Sequence, residues 1–331
     1  MKNTLKKRCM ELLLIAFFLI LLIFSRESVR LASQGLLIWY RSMIPSLFPF
    51  MVLSGFLVRS KMAEGISRLF CPFLSLLFPR SYSIGYTILI GFLCGFPMGA
   101  KVVADLLETN RINEKEGEYL LAFCNNIGPL YILGYVIPLF KWENIPLALG
   151  LMYAVPLLYG FFLQFLPRYR NTSGSKQLSC CESSPDSFLP QTRQRKDSFY
   201  LTAFRDALEN AITQMTLLGG CMIFFNCLQI APKLIPYLLP LGLQSFYTDT
   251  VYGPLCGLIE IGGGLKILSV LPPSLSSMGL ILFLLTLGGL SCMVQTAFVL
   301  KNTTLSIWIY LKHKLVQALL ILFLFSLMNP A

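Results

Sequence analysis

Polar residues are scarce along this chain of 331 residues, and their positions divide it into segments. Apolar runs cover residues 9–24, 36–58, 83–107, 119–140, 145–167, 205–230, 251–271, 279–300 and 307–329. Most are long enough to cross the roughly 30 Å of hydrocarbon in a bilayer. In that solvent each backbone N–H and C=O needs a partner within the segment, so each run predicts a helix. The expected fold class is an all-α polytopic membrane protein.

Two of the runs are interrupted. In "GFLCGFPMGAK" the apolar pattern gives way to Gly95, Pro97 and Gly99, and Lys101 follows. In "GPLCGLIEIGGGLK" the interruption is Glu260, with Gly262 and Gly263 behind it and then Lys266. Both stretches open as GxLCG and pass through small residues to a lysine. A span with polar residues follows each, "LAFCNNIGPLYIL" in the first half and "LSCMVQTAFVL" in the second. Between the halves lies the polar stretch 168–198, too poor in apolar residues to fold alone, which predicts a disordered basic cytoplasmic linker. The chain thus reads as an N-terminal span (1–30), a first repeat (31–167, broken segment 83–107), the linker, and a second repeat (199–331, broken segment 251–271). Residues 66–79 are too short to span and contain Pro72 and Pro79, so an interfacial helix is expected there.

Charge then decides how the broken runs lie. Charged residues make up 13% of the chain, about half the share in a soluble protein, and the net charge of +11 flanks apolar runs, so no nucleic-acid partner is implied. Arg41, Lys101 and Lys266 fall within apolar runs. If both broken segments dip in and return, the other basic residues divide as 20 cytoplasmic and 4 outside; if both cross, as 13 and 11. Positive residues concentrate inside, so the re-entrant arrangement is preferred, with seven full spans and a cytoplasmic N-terminus. The first run resembles a secretory signal but lacks a small-residue cleavage site, so an uncleaved span is expected. The two repeats are then inverted, one hairpin entering from each face, an arrangement suited to alternating access.

A break at membrane depth exposes backbone polar groups and the N-terminus of a half-helix, which attracts anions. Lys101 strengthens that reading; its alternatives are an ion pair with Asp105 one turn on and snorkelling to an interface. Glu260 suits a coupling cation, a proton or a solute donor; its alternative is pairing with Lys266 or Lys101. Asn125, Asn126, Ser291, Gln295 and Thr296 bring amides and hydroxyls beside the breaks, as site lining or as helix–helix bonds. Arg41 reads as an interface anchor, and Pro45 and Pro49 predict a kinked span. Ten cysteines without CxxC spacing give neither a zinc site nor a disulfide framework. The one histidine, His313 in "LKHK", stands at a cytoplasmic edge, and no HExxH, GxSG or P-loop occurs. Neither catalysis nor a cofactor is expected. The expected partners are membrane lipid and a small solute, with a coupling ion (Na+ or H+) and homo-oligomerisation left open.

"IPSLFPFMVLSGFL", "GFPMGAKVVADLLETNRINEKEGEYLLAFCNNIGPLYILG" and "LIEIGGGLK" resemble the YlbJ-type sporulation integral membrane proteins. That family is related to the nucleoside-recognition or Gate domain group, which includes concentrative nucleoside transporters. The likeness covers most of residues 36 to 328 and is looser after 205; "CNNIGP" departs from the family's usual wording. It implies a broken-helix inverted-repeat fold, a place in the outer forespore membrane, and transport of dipicolinic acid into the developing spore. Gly95, Pro97, Gly99, Ala100, Lys101 and Glu260 are the matching positions. A non-transporting assembly or scaffold role is the alternative.

Overall fold

A computed structural model describes residues 2–60, 62, 65, 78, 82–141, 144–169, 193–270 and 275–328. The expected interfacial helix 66–79 (apart from Phe78) and most of the linker lie outside them. Among the described residues there are helices and no strands. We number the main helices α1 (Lys2–Ile23), α2 (Ser25–Ile38), α3 (Ile44–Arg59), α4 (Tyr82–Leu93), α5 (Met98–Glu108), α6 (Glu114–Cys124), α7 (129–140), α8 (Ile145–Leu163), α9 (Arg193–Leu228), α10 (Tyr252–Ile259), α11 (Ile261–Leu268), α12 (Leu275–Leu287), α13 (Gly289–Leu300) and α14 (Ile307–Met328).

Among the described residues six stretches are helical, long and apolar enough to cross a membrane: Ser25–Leu57, Glu114–Phe140, Ile145–Leu163, Phe199–Leu238, Met278–Leu300 and Ile307–Met328. The expected first span, 9–24, forms the helix α1 but is not among them; Lys6, Lys7, Arg8 and Glu11 leave it only a short apolar remainder. Leu12, Phe18, Phe162, Leu201, Phe224 and Phe323 stay exposed, as an outer surface facing lipid requires. The chain is an all-helical integral membrane protein.

Proline explains three irregular turns. Wide π-type turns occupy Trp39–Met43, Ile132–Val136 and Tyr247–Val251. Pro45, Pro138 and Pro254 follow them, each four residues beyond a carbonyl inside the turn. A proline ring clashes with that carbonyl and offers it no N–H, so the helix widens there and continues. The kink expected from Pro45 is this turn, and Arg41 within it is exposed.

The expected broken segments are each two short helices packed on one another: α4 on α5 across residues 94–97, and α10 on α11 across Glu260. A Cβ on Gly264 would strike the backbone of Gly257, so the second pair touches main chain to main chain. Each pair precedes another interrupted helix. After α6 the chain is extended through 125–128 before α7; after α12 it turns at Gly288 (φ +82°) before α13. This second interruption was not expected. The order of elements therefore recurs, with α8 and α14 closing the two sets. Around them α9 runs antiparallel to α2 and α3: Gly35 lies against Met222 and Asn226, Trp39 against Gly219, and Gly55 against Ala207. The Trp39 indole N–H donates to the Met215 carbonyl (3.0 Å). The backbone of α9 begins at Arg193, within the stretch expected to be linker.

Candidate functional site

Glu260 ends α10 and caps α11. Its carboxylate accepts from the N–H groups of Gly262 (3.1 Å) and Gly263 (2.6 Å) and from the Asn226 amide (3.0 Å). Orphan N–H groups at a helix start call for such an acceptor. The side chain is 2% exposed. Neither Lys266 nor Lys101 pairs with it: among the described residues the carboxylate has no cationic partner within ion-pair range. The Gln229 amide donates to the Glu260 carbonyl (3.3 Å) and Tyr135 donates to the Gly262 carbonyl (2.9 Å), so α7 and the end of α9 hold this tip.

Three buried oxygens near this tip lack a partner among the described residues: the Tyr131 hydroxyl, Asn226 Oδ1 and Gln229 Oε1. Both amides have their nitrogen on an acceptor, which fixes the orientation and leaves the oxygen free. Tyr131, Glu260 and Gln295 line a cavity of about 40 Å³ together with Gly95, Phe96 and Gly128. The two broken segments therefore face one space. It has room for a few waters, far below the about 300–1,000 Å³ of pockets that enclose a drug-sized ligand.

At the first tip Gly95 has φ +85°, and a Cβ there would strike Gly128; Gly99 lies as closely against Cys124 and Asn125. Pro97 precedes α5 through a cis Phe96–Pro97 peptide. The extended stretch 125–128 is thus pressed onto the first tip. Asn125 accepts from the Ala100 N–H (3.3 Å) and donates to the hydroxyls of Thr296 (3.2 Å) and Tyr310 (3.0 Å). One amide joins the first tip to α13 and α14. Ser291 and Gln295 are joined to each other (3.0 Å) on the buried face of α13.

Lys101 lies elsewhere. It pairs with Asp105 (2.7 Å) and lines a separate pocket of about 350 Å³ with Arg59, Glu108, Arg111 and Asn210. The alternative ion pair is the arrangement found, and the central cavity has no Lys101 in its wall.

A different lysine approaches that wall. Lys314, which sequence reading left in the "LKHK" edge cluster, is 0% exposed. Its ammonium donates to Asn126 Oδ1 (2.7 Å) and Gln317 Oε1 (3.3 Å) and stands 5.2 Å from the centre of the Phe96 ring. Asn126 also donates to the Phe123 carbonyl (2.7 Å), and Gln317 to that of Ala122 (2.7 Å). Tyr310, Lys314 and Gln317 recur at helical spacing on the buried face of α14, a signal the sequence did carry. Neighbouring His313 is half-buried between the hydroxyls of Tyr159 (2.7 Å) and Tyr169 (3.3 Å). Outside the spans, Glu118 raises the pKa of Arg168 further, and burial pushes the Tyr169 hydroxyl up.

No family model and no solved structure matches the chain. It is 26% identical over 312 residues to the sporulation integral membrane protein YlbJ of Bacillus subtilis, an alignment covering 88% of this chain and 76% of that protein. The likeness extends over most of the molecule and supports the YlbJ-type resemblance read from its motifs.

Proposed function

We propose that this protein is a secondary-type transporter of a small polar or anionic solute. By resemblance the solute is dipicolinic acid, moved into the developing spore across the outer forespore membrane. The observation that carries the reading is a cavity lined by both interrupted segments, with a buried, unneutralised carboxylate in its wall. Interrupted helices at membrane depth serve to line such a space. The cavity is too small for such a solute, so a solute enters when the tips part, and Glu260 is the group that takes a coupling Na+ or proton. The proposal assigns no reaction to the chain.

Two ion pairs support the re-entrant, inverted arrangement. Glu27 pairs with Lys233, and Arg59 lies 3.6 Å from Asp206. With two re-entrant hairpins, Glu27 and Lys233 share the outer face, and Arg59 and Asp206 the cytoplasmic face. If both broken segments cross instead, each pair is divided between opposite faces of the bilayer.

Purified protein in liposomes tests the function. Dipicolinate uptake, exceeding nucleoside uptake and driven by a Na+ or pH gradient, is expected. Absence of uptake of both solutes under every gradient sinks the carrier reading and leaves the assembly role in its place.

A further inference from the structure

We propose that Lys314 is a binding group for a carboxylate anion, screened from the central cavity by the Phe96 ring. The inference deepens the transport reading by identifying the charge that recognises the solute, since Lys101 is engaged by Asp105 in another pocket. Lys314 lies about two turns into a membrane helix, where a fully buried charge is costly, so its presence calls for a reason. Here the ammonium has only neutral acceptors, Asn126 Oδ1 and Gln317 Oε1, and among the described residues no carboxylate within ion-pair range.

Holding α14 to the 125–128 stretch does not need the charge. The neutral bonds from Asn125 to Tyr310 and from Gln317 to Ala122 already join α14 to this stretch and to the end of α6. A methionine would fill the same space without burying an unneutralised charge.

Phe96 connects Lys314 to the cavity. It belongs to the first tip, it lines the cavity, and the ammonium lies over its ring. On another side a Cβ at residue 288 would stand 3.3 Å from the ring, a position held by a glycine in the left-handed conformation. When the first tip shifts, the ring leaves the ammonium, and a carboxylate takes its place as the partner. A charge-assisted bond to an anion is stronger than the contact with a ring face, so the exchange favours the occupied state.

The test is thermal melting of the purified full chain in detergent, with rising dipicolinate or acetate balanced against chloride at constant ionic strength. Wild type is expected to melt at saturably higher temperature as dipicolinate rises. Lys314→Met should lose that rise while its anion-free melting stays level or improves, and Lys314→Arg should keep part of it. Phe96→Ala should reach half-saturation at roughly one tenth of the wild-type concentration, the screen being gone. A Lys314→Met protein that melts lower without anion yet keeps the full rise overturns the proposal and makes the lysine a structural pin. Wild type unmoved by either carboxylate overturns it too. Binding lost in Lys314→Met together with no uptake in liposomes leaves the site standing and removes the carrier.

Discussion

Glu260 and Tyr131 respond to substitution for opposite reasons. The Glu260 carboxylate takes three N–H bonds inside the protein, so Glu260→Ala strands all three donors and should cost about 2 kcal/mol or more of stability. Glu260→Gln keeps an oxygen for the helix start but removes the charge; the protein should insert normally and fail to accumulate solute. The Tyr131 hydroxyl has no partner among the described residues, so Tyr131→Phe should melt at the wild-type temperature or slightly above it. A loss beyond about 1 kcal/mol would mean the hydroxyl is satisfied after all. Residue types alone marked Glu260, Asn125 and Gln295 as candidates, because polar groups inside apolar runs stand out. They did not mark Lys314, since a lysine two residues from Lys312 and next to His313 looks like any basic cluster flanking a span. Nor did they settle Lys101: its choice between the cavity and Asp105 depends on the direction the half-helix takes.

At the level of elements, the broken segments depend on main-chain contact. Gly264→Ala sets a methyl against Gly257 in the facing arm, and Gly99→Ala sets one against Cys124. Each should destabilise by about 1–3 kcal/mol, as overpacking does. Gly150→Ala in α8, where nothing lies within 4 Å, should be neutral or stabilising by up to about 1 kcal/mol. Equal melting of all three proteins would contradict the close packing of the arms. Breaks at 94–97 and 260 were legible because glycine, proline and charge interrupt the apolar pattern together. The turn at Gly288 was not, because "LGGL" leaves the run 279–300 apolar throughout and hydropathy does not register a change of backbone direction. The widened turn before Pro45 was legible only as a kink, and those before Pro138 and Pro254 were not foreseen, since the ring forces a local change without dictating that the helix resumes.

For the molecule as a whole, membrane insertion and helical class follow from composition, while the proposed repeat rests on the order of elements more than on the short GxLCG match. The way the halves sit in the bilayer rests on the basic residues and on the Glu27–Lys233 and Arg59–Asp206 pairs. Cysteine accessibility measures it directly. In a cysteine-free protein, Asn110→Cys reports the loop after the first broken segment, and Tyr237→Cys the exposed turn before the second. With re-entrant hairpins, an impermeant thiol reagent added from outside labels Tyr237→Cys and leaves Asn110→Cys unlabelled until the membrane is opened. Labelling of Asn110→Cys with protection of Tyr237→Cys would mean that both segments pass straight through, and the inverted carrier would be wrong.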